Sequence, residues 1–192
     1  DQIKLDSREF DSWRWQLNNY YVFNHRKFSY PAALTQSYKQ EKSAGSVLAG
    51  LSLYSLGIEN IGITFPAEMI ESLGSFNLPQ KLEYFSFNLN AGYAHNWVTY
   101  QRHVLLHFSI MPDIGLYKRN KITPDPMIDE EKKYISYGGV CRFSSLWQLE
   151  NHYIGLVGTI NFHTISSLKP IWTLDSYSRI GIFYGFRAYK YK

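Results

Sequence analysis

Six histidines, one cysteine and sixteen acidic residues are the groups from which chemistry would have to be built. His103, His107 and Ser109 recur at even spacing, so on a strand all three point to one side. A Ser/His pair with an orienting acid or amide is the machinery of acyl transfer, and barrel enzymes that remodel lipids use it. At roughly 3.3 Å per residue, however, His103 and His107 stand about 13 Å apart, too far to share a metal or a proton. No Gly-x-Ser-x-Gly elbow and no His-x-Ser-Asn-Gly sequence is present. The sequence therefore assigns no catalytic residue.

Metal and cofactor chemistry fares no better. Cys141 is the single cysteine, which excludes an internal disulfide, and no Cys/His cluster has zinc-ligand spacing. Glu68 and Glu71 in one polar stretch, and Asp125, Asp129, Glu130 and Glu131 in another, read as solvated loop charge. Gly138-Gly139 lies inside a strand pattern rather than before a helix, so it is no phosphate loop. The expectation is no metal and no cofactor.

The arginines say more. Arg14, Arg142, Arg179 and Arg187 fall on the polar side of alternating segments that carry few acids, together with Asn88, His103 and His107. In a closed barrel these seven would face a basic lumen, unless acids such as Glu59 or Asp175 fold in to pair with them.

What must position them is sheet. The chain has 192 residues, 17% aromatic and only 19% charged, the balance of a protein rich in strands. Its net charge of +4 is small and scattered, which argues against nucleic acid as a partner. The sequence shows no charged n-region followed by an apolar h-region, which leaves as the expectation either a cytoplasmic protein or the mature part of a processed precursor. No apolar run approaches the roughly 20 residues of a membrane helix, so any span is a strand.

Period-2 alternation is cleanest over Glu83–Ala94, where Phe85, Phe87, Leu89, Ala91 and Tyr93 oppose Tyr84, Ser86, Asn88, Asn90 and Gly92. A soluble sheet would show Lys, Glu and Thr on its wet face, whereas this one shows small amides and hydroxyls, which suit a narrow interior. The same split recurs over Trp13–Phe23, Val104–Ile110, Ile154–Phe162 and Ile180–Phe186. Phe28–Tyr38, Ser43–Leu56 and Tyr134–Leu149 complete about eight strands, many of membrane-spanning length.

Short joints at Lys39–Lys42, Asn96–Gln101 and Glu150–His152 alternate with longer ones at Gly57–Gln80 and Lys118–Lys133 and a middling one at Ser166–Trp172. That is the loop habit of outer-membrane barrels, and its parity puts both chain ends in the periplasm. Trp13, Tyr93, Trp97, Trp147, Trp172 and Tyr189 near strand ends would form aromatic girdles.

The segment Tyr20-Tyr-Val-Phe-Asn-His-Arg-Lys-Phe-Ser-Tyr-Pro-Ala-Ala33, then Gln40-Glu-Lys-Ser-Ala-Gly-Ser46 and the closing Tyr184-Gly-Phe-Arg187, resembles a Bacteroidetes outer-membrane family known only as domain of unknown function 4421. The resemblance implies location and not activity. It also implies that further strands precede this portion in relatives, so the chain would be the C-terminal portion of a larger barrel; Lys192 fits poorly the terminal aromatic on which such barrels end, and truncation at either end is the expectation.

The expectation is thus one domain over residues 1–192: all-β, an antiparallel up-and-down transmembrane β-barrel of about eight strands, in this chain alone or as part of a larger barrel. It would sit in the outer membrane of a Gram-negative cell as a non-catalytic scaffold, an accessory subunit or a narrow pore. Its partners would be outer-membrane lipids or lipopolysaccharide and other outer-membrane or periplasmic proteins. Two alternatives stand beside it: a lipid-modifying barrel enzyme using Ser and His, and a soluble lipocalin-like ligand-binding barrel.

Overall fold

Alternation becomes an unbroken antiparallel sheet. A computed structural model describes residues 11–36, 38–59, 81–99, 101, 103–123, 136–149, 151–168 and 171–186, with side chains left aside at 118–123, 165–168 and 171–173. The strands are β1 (Asp11–Val22), β2 (Ala44–Glu59), β3 (Lys81–Thr99), β4 (Val104–Thr123), β5 (Tyr137–Gln148), β6 (His152–Leu168) and β7 (Ile171–Phe186). They join in one seven-stranded sheet in the order of the chain, β1 to β7. This is the up-and-down, β-barrel-like class that the period-2 pattern predicts.

One expectation about the elements is corrected. Phe28–Tyr38 is not a strand: Tyr30–Leu34 forms a single helical turn, α1. Ser29 caps it by accepting from the Ala32 amide, Pro31 sits in its first turn, and two alanines follow, so the local chemistry is that of a helix start. Seven strands occupy the described residues, in keeping with the expected count of about eight.

The strands also run further than their alternation does. β4 reaches Thr123 and takes in the start of the expected loop at Lys118, while β6 and β7 leave only residues 169 and 170 of the expected Ser166–Trp172 joint. Backbone pairing continues where the hydrophobic signal has faded, because a ladder bond needs an amide and a carbonyl, not a particular side chain. At the other end β3 turns into β4 through Gln101 at φ 53°, and β5 turns into β6 between Gln148 and His152. The joint between β1 and β2 is no short turn, since it spans residues 23–43 and contains α1.

The chain divides into two compact units. One comprises the described parts of Asp1–Asn18, Ser52–Asn88 and Gly115–Ile135; the other comprises Asn19–Leu51, Leu89–Ile114 and Ser136–Lys192. In the first, Tyr54 is buried against Tyr84 at 5.8 Å between ring centroids, and Ser55 Oγ donates to the Tyr84 carbonyl at 3.1 Å. On the opposite face Phe85 lies 6.3 Å from Trp15 and 6.4 Å from Tyr117, a cross-strand aromatic ladder.

Faces are clearest in the second unit, where the β4–β7 registers set side chains in rows. One face carries Val104–Trp147–Ile154–Tyr184, Leu106–Ser145–Leu156–Ile182 and Phe108–Phe143–Gly158–Ile180. Nearly every member is apolar. A Cβ on Gly158 would lie 2.0 Å from the Phe143 ring, so this glycine is what lets the ring lie flat across β6. The other face carries His107–Ser144–Val157–Gly181, Ser109–Arg142–Thr159–Arg179 and Asp113–Gly138–His163–Asp175. It is the polar face that is buried, and α1 covers it: Phe28, Ala32 and Ala33 pack with Leu48, Ala94, Leu105, Met111, Val140 and Leu146.

Candidate functional site

The densest polar chemistry in the second unit lies beneath α1. β4 presents His107, Ser109 and Asp113, all buried, and β5 presents Ser144 and Arg142 opposite the first two. β3 adds Asn96, also buried, and the β1–β2 connection adds Ser29, Tyr30 and Gln40 from above.

The hydrogen-bond directions follow from the fixed donors. Asn96 Nδ2 donates to the Ser29 carbonyl at 2.9 Å and to Gln40 Oε1 at 3.4 Å, which turns its Oδ1 toward His107 Nδ1 at 2.7 Å. An amide oxygen only accepts, so Nδ1 carries the proton and Nε2 is the lone-pair nitrogen. His107 Nε2 lies 3.2 Å from Ser109 Oγ, so the serine hydroxyl donates to it. Tyr30 Oη, 3.2 Å from Ser109 Oγ, donates to that oxygen in turn and accepts from Arg142 Nη1 at 2.8 Å. The relay Arg142 to Tyr30 to Ser109 to His107 to Asn96 is therefore directional from end to end.

Its surroundings are tightly packed. Phe28 stacks on the His107 ring at 6.3 Å, the Arg142 guanidinium lies 5.6 Å over the Tyr20 ring, and Ser144 Oγ donates to the Ala33 carbonyl at 2.7 Å. Serine, histidine and an orienting amide thus stand in the order of a nucleophilic triad, yet the serine oxygen is roofed by Tyr30. Such a network pins α1 to the sheet as it stands.

A second cluster lies four residues further along β4. Asp113 and His163 are both buried, with His163 Nδ1 3.9 Å from Asp113 Oδ2. Gly138 stands between them in register, and a Cβ there would meet His163 Nδ1 at 2.4 Å and Asp113 Oδ1 at 2.8 Å. Only glycine lets that carboxylate and imidazole approach across the intervening strand.

The residues singled out by sequence scatter. Asn88 is buried on β3 and His107 and Arg142 join the relay. Arg14, on β1, is exposed and its Nε donates to Tyr54 Oη at 3.4 Å. His103 lies exposed in the turn before β4, where its carbonyl accepts from the Gln148 amide at 2.7 Å. A residue beyond the strand end does not inherit the strand's facing. Arg179 shares the row of Arg142 on β7 but is exposed. Arg187 and the acids at 68, 71, 125 and 129–131 lie outside the described residues, as do Tyr189 and the side chain of Trp172. Among the described residues no three His, Cys, Asp or Glu converge as metal ligands would.

Sequence reasoning missed Tyr30, Gln40, Asn96 and Asp113. Asn96 and Asp113 continue the parity of Asn88 and Ser109, so extending each alternation a few residues would have found them. Ser29 two residues before Pro31 is a helix-start signal that would have found α1. Nothing local marks Tyr30 or Gln40, whose partners lie far off in the chain.

The profile of a protein family described as Domain of unknown function (DUF4421) matches residues 2–187. No curated protein and no solved structure matches the chain.

Proposed function

We propose, on the premise that the chain belongs to the DUF4421 family, that it is an integral outer-membrane β-barrel protein of a Gram-negative, Bacteroidetes-type cell, acting as a scaffold or accessory subunit. The observation that carries this is the inverted polarity of the sheet. In β3, Leu89 is 51% exposed while Asn88 beside it is 1% exposed, and the apolar rows of β4–β7 lie on the same exposed side. Water does not tolerate so continuous an apolar surface on a monomer, and hydrocarbon does. This polarity also speaks against a lipocalin-like barrel, whose apolar register turns inward.

Scaffold is preferred over narrow pore because α1 and its hydrogen-bond relay fill the polar face of the second unit. Outer-membrane lipids cover the apolar rows in this reading, and outer-membrane or periplasmic proteins are its partners. In this reading the turns after β3 and β5 face the periplasm, with the long β1–β2 connection at the same end.

The test is lipid accessibility. In a Cys141→Ser background, cysteine at position 89 should react with a bilayer-dissolved maleimide and be protected from a water-soluble one, while cysteine at 88 should react with neither. Labelling of position 89 by the water-soluble reagent alone would sink the reading.

One observation favours a second reading, a lipid-modifying enzyme: the Asn96–His107–Ser109 order, with Ser109 Oγ 3.2 Å from an acceptor imidazole nitrogen. Activity would require α1 to lift and uncover Ser109. Mass spectrometry of phospholipids and lipid A from cells with native protein or Ser109→Ala decides it: a lipid change that Ser109→Ala abolishes establishes catalysis, and no change leaves the relay structural.

A further inference from the structure

We propose that the β1–β2 connection forms a binding site for a small phosphate-bearing polyanion, a ligand class that no motif of the chain announces. A pocket of about 810 Å³ lies along this connection, lined by His25, Arg26, Lys27, Lys39 and Lys42, with Glu41 as the one carboxylate. Four fixed cations against one anion leave a surplus of three positive charges. Among the described residues the ion pairs are Lys81 with Glu59 and Glu83, and His163 with Asp113, so none of the four pocket cations has its charge matched there.

The cations do not meet by accident of a loose loop. Gln40 is buried, and its Nε2 donates both to the Lys27 carbonyl and to the Lys42 carbonyl at 2.7 Å each. Its Oε1 accepts from the Ser29 amide at 2.8 Å and from Asn96 Nδ2 at 3.4 Å, which ties this clasp to β3. One buried amide therefore holds two lysine-bearing limbs side by side, from positions fifteen apart in sequence. Holding the two limbs in place before a ligand arrives lowers the ordering that binding must supply. The site is concave and its charge is concentrated, so it fits a compact ligand of two or more negative charges better than a monoanion. Lys and Arg together supply ammonium donors and a planar fork, the mixture suited to phosphate oxygens.

This inference does not depend on membrane location. The full chain in detergent micelles is titrated calorimetrically with inorganic pyrophosphate at constant ionic strength, with acetate as the monoanion control. Pyrophosphate should bind at least tenfold tighter than acetate, and Lys27→Gln/Lys42→Gln should weaken it at least tenfold. Lys81→Gln, whose ammonium already sits 2.7 Å from Glu59, should leave it unchanged. Gln40→Leu keeps every charge but opens the clasp, and should weaken binding several-fold. A parallel titration with micelles containing phosphatidic acid separates a lipid headgroup from a free phosphate compound, since the charge-dependent ligand will be the one that Lys27→Gln/Lys42→Gln abolishes. Equal affinity for acetate and pyrophosphate, or a double variant that binds both phosphate probes as the native chain does, would overturn the site, and unchanged binding by Gln40→Leu would overturn the role of the clasp.

Discussion

Arg142 on β5 donates to the hydroxyl of Tyr30 at 2.8 Å, joining residues 112 apart in sequence. That bond makes α1 part of the sheet's polar face rather than a decoration on its rim. The hydroxyl serves twice, as acceptor for the guanidinium and as donor to Ser109. Tyr30→Phe removes both roles while keeping the ring against Phe28 and His107. A loss of about 1–3 kcal/mol is expected, because the Arg142 donor stays in place without that acceptor. Urea unfolding monitored by tryptophan fluorescence measures it, and native-like stability would mean that the relay does not pin the helix.

The histidines should separate cleanly. His103→Asn, in an exposed turn, should change stability by no more than about 0.5 kcal/mol. His107→Asn should lose about 1–3 kcal/mol, since one amide is too short to reach Asn96 and Ser109 together as the imidazole does. Equal tolerance of the two, in the same unfolding assay, would contradict the buried relay.

Two glycines give opposite expectations. Gly138→Ala drives a methyl against Asp113, His163 and the Phe162 carbonyl, the last at 2.9 Å, and should destabilise by about 1–3 kcal/mol. Gly181→Ala meets nothing nearer than Val157 Cγ1 at 3.7 Å and should be neutral or stabilise by up to about 1 kcal/mol. Paired thermal melts check the sign of each.

The membrane reading makes its own stability prediction. Leu89→Arg, on the exposed apolar face, should cost roughly 2–4 kcal/mol for the chain folded into phosphatidylcholine vesicles. Leu89→Ile should be near neutral. Asn88→Arg is no tolerant control, because Asn88 is fully packed and a guanidinium would need room that the interior lacks. Leu89→Arg folding into vesicles with native stability would exclude hydrocarbon contact at that face.

Period-2 alternation by itself determined the strands and which side of each is polar, because a strand's side chains alternate strictly and a local pattern carries that signal, and the short joints between them pointed to antiparallel neighbours. Asn88 against Leu89 and His107 against Phe108 were legible for that reason. Strand ends were not, since ladder bonds extend β4 to Thr123 with no hydrophobic requirement. Only the tertiary structure decided that residues 23–43 fold back over the polar face, that Tyr30 meets Arg142 and Ser109, and that Gln40 clasps Lys27 to Lys42. Those partners lie on different strands or limbs, and which of them meet depends on register and on where a connection settles once the sheet has formed. No local pattern encodes that choice, so histidines four apart in sequence, His103 in a turn and His107 in a buried relay, came to entirely different fates.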